Sequence, residues 1–291
     1  MTSHSTFPLR GIIGVVANSL AEIDSAIAAK LQCVELRADL LLDAGLSIDD
    51  IHAGIAQAQQ ASLAVLFTLR HPDHGGKFNG SEAERVSISR DAFKAGADIV
   101  DLEWDSKAAA SLITESVPMI LSYHNFNGMP DADELARVTR IMSQHQPAAI
   151  KIVPTASGSE DALRMLGWVA DADGEIARIG FAMGAAGACS RILTVAMGGP
   201  VTYTAFGPAV APGQVALDAL LNSYRVMQMT GNTRLVAVVG SDTDAEQHVA
   251  ELNQQFREAA ADSVAVAFPV AANNALQHYR ISLHIADIVA L

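Results

Sequence analysis

Cysteine is nearly absent: only Cys33 and Cys189 occur in 291 residues. Both lie in apolar surroundings without metal-ligand spacing. That excludes a disulfide-dense or zinc-held scaffold and predicts two reduced core thiols. Positive charge is short as well, with 19 Lys and Arg against 32 Asp and Glu, a net charge of −13. Such a chain is ill suited to nucleic acid or to anionic membrane surfaces, so any acidic substrate must be met by local arginines. No apolar run is long enough to span a membrane. The N-terminal stretch "MTSHSTFPLRGIIGVVANS" has no basic region and no clear cleavage site. It reads as a first strand, and the expected location is cytoplasmic. No glycine-rich dinucleotide fingerprint follows any apolar run, which weakens an open doubly wound sheet.

What is present is a hydrophobic half, 50% of all residues, enough for one large α/β barrel or two smaller domains. Short apolar runs alternate with helical patterns. Strands are predicted at 11–17, 33–38, 63–69, 98–103, 118–123, 148–153, 177–183 and 201–205. Ser19, Ser47, Ser81 and Asp131 are predicted helix N-caps. "PGQVALDALLNSYRVMQM" is predicted to run as a helix. About eight β-then-α units in the first 230 residues imply a parallel sheet closed into a (β/α)8 TIM barrel, residues 1–230. The pattern then restarts. "TRLVAVVG", "DAEQHVAELNQQFREAAA", "SVAVAFPV" and "NNALQHYRISLHIADIVAL" predict a small β-α-β-α extension, residues 231–291.

The polar residues inside the apolar runs carry the functional signal. "AAIKIV" places Lys151 in a strand interior. A lone lysine there is most often on a wet face, but a desolvated amine is also a nucleophile toward a carbonyl. "CVELRAD" carries Glu35, Arg37 and Asp39 at period two. Arg70 ends the third strand, Asp101 and Glu103 share a face of the fourth, and His124 ends the fifth. Met183 and Arg191 follow the seventh, and Gln214 stands at a predicted helix start. Individually each has a structural reading: Glu35 and Arg37 as an ion pair, Met183 as core, His124 as a packed histidine. Their recurrence at one end of successive strands favours a site. Arginines, a lysine and a histidine together suit a small anionic keto acid: a carboxylate clamp, an imine former and a proton shuttle.

In order and rough spacing, "VELRAD", "FTLR…GG", "DLE", "SYHNF", "IKIV", "FAM…SR" and "APGQ" resemble the motifs of type I 3-dehydroquinate dehydratases over residues about 10 to 230. The resemblance implies a barrel without metal or organic cofactor that removes water from 3-dehydroquinate to give 3-dehydroshikimate, in the shikimate pathway or in quinate breakdown. It implies Lys151 as the Schiff-base lysine and His124 as general acid and base. Glu35, Arg37, Arg70, Arg191 and Gln214 then bind substrate, and Phe181 and Met183 line the pocket. The chain departs from the pattern at His74 and Asn125, where carboxylates are usual beside the histidine, and at Gly207 and Val210 in the lid. Glu103 is the expected substitute for the missing carboxylate that orients His124. The extension resembles the first strand, helix and second strand of a shikimate dehydrogenase substrate domain, without that family's Ser-x-Ser motif, catalytic lysine or nucleotide fold. Two other readings stand beside the lyase: a non-catalytic sensor of quinate or shikimate on the same barrel, and another imine-forming barrel such as an aldolase. A homodimer is compatible with all of them.

Overall fold

The computed structural model describes residues 7–240, 242–269, 272–280, 283 and 285–290. The first six residues of the N-terminal stretch lie outside these. In chain order the elements are β1 (Gly11–Val16), α1 (Ala21–Ala28), β2 (Cys33–Arg37), α2 (Ala38–Asp43), α3 (Ile48–Gln60), β3 (Ala64–Thr68), α4 (Glu82–Lys94), β4 (Ile99–Glu103), α5 (Lys107–Thr114), β5 (Met119–Asn125), α6 (Ala132–Ser143), β6 (Ala149–Pro154), α7 (Ser159–Ala170), β7 (Ala177–Gly180), α8 (Ala188–Leu193) and β8 (Val201–Ala205). The strands form one parallel sheet in the order β7-β6-β5-β4-β3-β2-β1-β8. Because β1 pairs with both β2 and β8, the sheet wraps into a nearly closed (β/α)8 barrel.

Period-two alternation divides the apolar residues into two cores. Val34, Leu36, Phe67, Leu102 and Ile152 point outward against the helices. Ile13, Cys33, Leu66, Ile99, Ile120, Ala149 and Ile179 point inward and fill the barrel, with Phe7 and Leu9 buried in the same cluster. Burial on both faces is why the strands read as nearly continuous apolar runs. Each buried side chain of this size contributes about 1.5–3 kcal/mol. The two thiols are free and buried. Burial pushes both up to about 12, so they behave as small core hydrophobes.

Ser47 and Ser81 form capping boxes with Asp50 and Glu84, and Asp131 caps α6. Ser19 is not the N-cap. That position falls on Leu20 without a side-chain cap, and Ser19 Oγ accepts from Ala21 N at 3.2 Å. The predicted helix after "APGQ" is also shorter than expected. Residues 214–216 are irregular, and the helix is largely a π turn, Ala219–Ser223, ended by Arg225 in the left-handed region. Gly213 explains the late start. Its φ is +74°, and a Cβ there would stand 2.2 Å from the Gly184 carbonyl oxygen, so the chain must stay in a tight turn against the loop after β7.

Beyond the barrel come β9 (Arg234–Gly240), α9 (Asp242–Glu258), β10 (Ser263–Pro269), α10 (Asn273–His278) and β11 (Ile285–Ala290), with a second parallel sheet ordered β10-β9-β11. The predicted last helix is therefore a short helix followed by a strand. "IADIVA" is rich in β-branched residues, and β9 offers it an open edge. Asn253 ties α9 to β10 by donating to the Ala265 carbonyl at 2.9 Å and accepting from its N–H at 2.8 Å.

Candidate active site

Strand register builds the site. Ser122 pairs with Glu103 on one side and Lys151 on the other, so all three stand level on the inner face; His124 lies two residues further along β5, on that same face. The inward row is apolar low in the barrel and turns polar toward the carboxyl ends, where Glu35, Thr68, Asp101, Glu103, Ser122 and Lys151 are all buried. These groups satisfy one another, as buried charges must. Arg70 donates to Asp101 at 2.8 Å, to Ser122 Oγ at 2.7 Å and to Glu103 at 3.2 Å. Glu103 also accepts from Arg85 of α4. Lys151 Nζ donates to Asp101 Oδ2 at 3.0 Å, and Glu35 accepts from Thr68 Oγ1 at 2.7 Å.

Burial alone would protonate Asp101, but Arg70 and Lys151 outweigh it and hold the carboxyl far below the usual carboxylate range. Glu103 is lowered in the same way, with burial opposed by Arg70 and Arg85. For Arg70, burial works against the charge, yet Asp101, Glu103 and Glu35 raise its proton affinity above the ordinary value.

Above this tier lies a cavity of about 200 Å³ lined by Glu35, Arg37, Arg70, His124, Lys151, Phe181, Met183, Arg191 and Gln214, together with His74, Phe126, Tyr203 and Val210. Nine of the ten residues singled out in the sequence thus reach one cavity. Glu103 is the exception. It lies outside the wall, committed to Arg70 and Arg85, and does not orient His124. Arg70 lines the wall, but three protein acceptors already occupy it. Arg37 does not pair with Glu35 either. Two hydrogen bonds of 2.9 and 2.8 Å hold it to Asp39, which belongs to α2 rather than to the strand.

Arg191 and His124 keep buried polar atoms without partners among the described residues. Arg191 is 2% exposed. Its Nη2 donates to the Pro212 carbonyl at 3.3 Å, its guanidinium lies 4.5 Å from the Phe181 ring centroid, and its Nε has no partner. No carboxylate pairs with it among the described residues, and burial pulls it down to about 10. Its position is fixed from behind: Ser190 Oγ accepts from Ala182 N at 2.8 Å, and Thr202 Oγ1 donates to the Arg191 carbonyl at 2.6 Å. His124 stacks on Phe126 with ring centroids 6.4 Å apart, and its Nδ1 is buried without a partner. Burial, then Arg70 and Lys151, holds it well below 6.5; Asp101 opposes, and His74 adds slightly to the lowering. Gln214 Oε1 accepts from Val210 N at 2.9 Å and braces the lid.

Sequence reasoning assigned no role to Asp101 and missed Tyr203. Asp101 was visible as an inward carboxylate, but its partners come from strands distant in sequence. Tyr203 is inward by alternation in "VTYTA", and an aromatic there reads as core. A larger cavity of about 490 Å³ lies beside the π turn and β10. Its arginines are engaged: Arg225 donates to the Ala261 and Ser263 carbonyls, and Arg257 to that of Asn222. Among the described residues, no cluster of three or more His, Cys, Asp and Glu is placed to hold a metal ion.

Residues 13–231 match the family model for type I 3-dehydroquinase. The 3-dehydroquinate dehydratase of Pyrobaculum aerophilum is 32% identical over 222 residues, covering 75% of this chain and 71% of the relative. The crystal structure of 3-dehydroquinate dehydratase from Geobacillus kaustophilus HTA426 matches with a TM-score of 0.64 at 24% identity, over 76% of this chain and 91% of its own. The structure described as dehydroquinate dehydratase and shikimate dehydrogenase from S. pombe AroM matches with a TM-score of 0.62 at 21% identity. It covers 99% of this chain, extension included, and 57% of its own length. These structural likenesses are likenesses of fold.

Proposed function

The chain belongs to the type I 3-dehydroquinase family, and from that premise we propose that it dehydrates 3-dehydroquinate to 3-dehydroshikimate through an imine on Lys151, with His124 moving the protons. The observation that carries this reading is the pairing of two buried cations in one cavity: an amine beside Asp101, and the guanidinium of Arg191 without a carboxylate of its own. A keto acid supplies what each requires.

Lys151 gives up its ammonium proton and adds to the ketone as the free amine; that proton passes to the carbinolamine hydroxyl, which leaves as water and gives a protonated imine. Asp101 balances positive charge at that nitrogen both before attack, as ammonium, and after it, as iminium. The imine withdraws electrons from the neighbouring carbon. His124, kept neutral by burial and by nearby cations, takes a proton from that carbon. The resulting enamine expels the hydroxyl on the next carbon, and His124 returns the proton to it as water departs. A second water hydrolyses the imine, releases the enone and restores the lysine. Arg191 binds the carboxylate from the far side of Phe181, and Arg37, Glu35 and Gln214 face the ring hydroxyls. Arg70 acts chiefly on Asp101 and Ser122. In this reading residues 1–230 form the catalytic unit, and residues 231–291 are accessory and carry no oxidoreductase activity.

The test is borohydride reduction with 3-dehydroquinate, followed by intact mass and peptide mapping. One substrate-derived adduct on Lys151 is expected. Lys151→Ala should abolish it and lower turnover by several powers of ten, and Lys151→Arg should not restore it, because arginine stays protonated. Adducts that persist in Lys151→Ala, or map to any other lysine, refute the assignment. Tight binding with no turnover in the parent protein would favour the sensor.

A further inference from the structure

Seven buried side-chain polar atoms lack a hydrogen-bond partner among the described residues, and four of them belong to residues that line the one cavity: His74 Nδ1, His124 Nδ1, Arg191 Nε and the Tyr203 hydroxyl. That clustering separates them from isolated packing defects such as Ser89 and Thr194. Three of the four belong to groups whose charge or proton chemistry explains their presence. The fourth is a phenol, and the reading above gives it no task.

The ring of Tyr203 accounts for its packing without the oxygen. It lies 4.4 Å beneath Lys151 Nζ and 5.6 Å from the Phe181 ring at a tilt of 59°. Phenylalanine would make the same two contacts. The hydroxyl is buried, and its acidic neighbours are already engaged: Glu35 accepts from Thr68, and Asp101 from Arg70 and Lys151. Burial, then Glu35 and Asp101, raises the phenol's proton affinity well above its ordinary value, so at neutral pH it presents an O–H with nothing to receive it among the described residues.

Lys151, Tyr203, Phe181 and Arg191 stand in sequence along one wall: Lys151 over the Tyr203 ring, Tyr203 tilted against Phe181, and Arg191 over the Phe181 ring. A ligand whose carboxylate meets Arg191 and whose ketone meets Lys151 lays its carbon ring along the two aromatics, and its oxygens at the ketone end come nearest to Tyr203. We propose that the Tyr203 hydroxyl is a substrate-binding donor that recognises an oxygen on, or one carbon from, the carbon attacked by Lys151. This rests on the dehydratase reading. It makes Tyr203 a determinant of specificity for a hydroxylated ketone over a bare one, because an unhydroxylated ligand leaves the phenol unpaired.

Tyr203→Phe removes one oxygen and nothing else. Its apo melting temperature should match or exceed that of the parent, since a buried group without a partner is lost. The KM for 3-dehydroquinate should rise about three- to tenfold with kcat little changed, the scale of one neutral hydrogen bond made equally in ground and transition states. A KM within twofold of the parent overturns the proposal. So does a fall in melting temperature of several degrees alongside the kinetic change, because the hydroxyl would then be working inside the protein. Failure of the dehydratase reading is seen separately, as absence of borohydride trapping in the parent, and it removes the basis for this proposal as well.

Discussion

Replacing Arg191 with methionine should weaken carboxylate binding strongly while leaving the empty protein about as stable as before. Methionine keeps most of the stem and discards the charge. Burial holds the guanidinium at about 10 against an ordinary 12.5. At about 1.36 kcal/mol per pH unit, keeping it charged inside the barrel costs roughly 3 kcal/mol. The sign is that of a cation whose proton affinity falls on folding. Below pH 10 the chain carries this proton both folded and unfolded, so the full penalty applies at neutral pH. Against it stand the contact with Phe181, about 1–2 kcal/mol, and the hydrogen bond to Pro212 O, about 1.5–3 kcal/mol. These terms nearly cancel, and the melting temperature of Arg191→Met should stay within a few degrees of the parent. Binding is different. A charged hydrogen bond of about 1.5–3 kcal/mol corresponds to roughly a 10- to 150-fold loss of affinity. Calorimetric titration of a keto acid and of its carboxamide, against parent and variant, separates the effects: the acid should lose this factor and the amide little. Equal losses for both ligands, or a drop in melting temperature above about 8 °C, would refute the reasoning, since the second marks a broken structural pair.

Asp101→Asn should cost about 3–5 kcal/mol, because it leaves Arg70 and Lys151 buried without their shared carboxylate; a denaturant-melt loss below about 1 kcal/mol would show that Glu103 compensates alone. His124 binds its proton less readily folded than unfolded, so its contribution to stability is intact above about pH 6.5 and declines as pH falls below that value. His124→Gln should flatten this decline in urea titrations, and an unchanged slope would assign it to another group. Because His74 lowers His124 by like-charge repulsion, His74→Glu should move the acidic limb of kcat/KM toward neutral pH; a shift the other way contradicts the coupling.

The barrel was legible because both faces of its sheet are buried, so each strand stands out as an apolar run, and alternation within the run identifies the inward polar residue. Lys151, Glu35 and His124 were found that way. The helix after Gln214 and the last strand were not. The late helix start, set by the close approach of Gly213 to Gly184, depends on a loop distant in sequence, and "IADIVA" becomes a strand only because β9 has a free edge. Within the site, the sequence could tell which residues face inward but not which are already spoken for. Glu103 and Arg70 looked available and are consumed by each other. Nothing in the sequence singled out Tyr203, whose hydroxyl has no partner among the described residues.

That division into consumed and free groups has an energetic consequence. The lower tier, with Arg70, Asp101, Glu103, Ser122 and Lys151, is a network in which each charge has a partner; removing Asp101 strands two buried cations, so there fold and activity fail together, whereas Asp101 keeps Arg70 when Lys151 is removed. The upper tier, with Arg191, Tyr203 and His124, leaves polar atoms without partners in the empty protein, and a ligand of matching chemistry relieves them on binding. Substitutions there should cost affinity with little loss of stability. The saturated tier makes this tolerable by holding the Lys151 amine on Asp101 at the cavity wall, independently of the unpartnered polar atoms above it. In the proposed reading, specificity for a ketone carrying one carboxylate comes from the unsatisfied layer, and the Lys151 nitrogen is positioned by the layer below it.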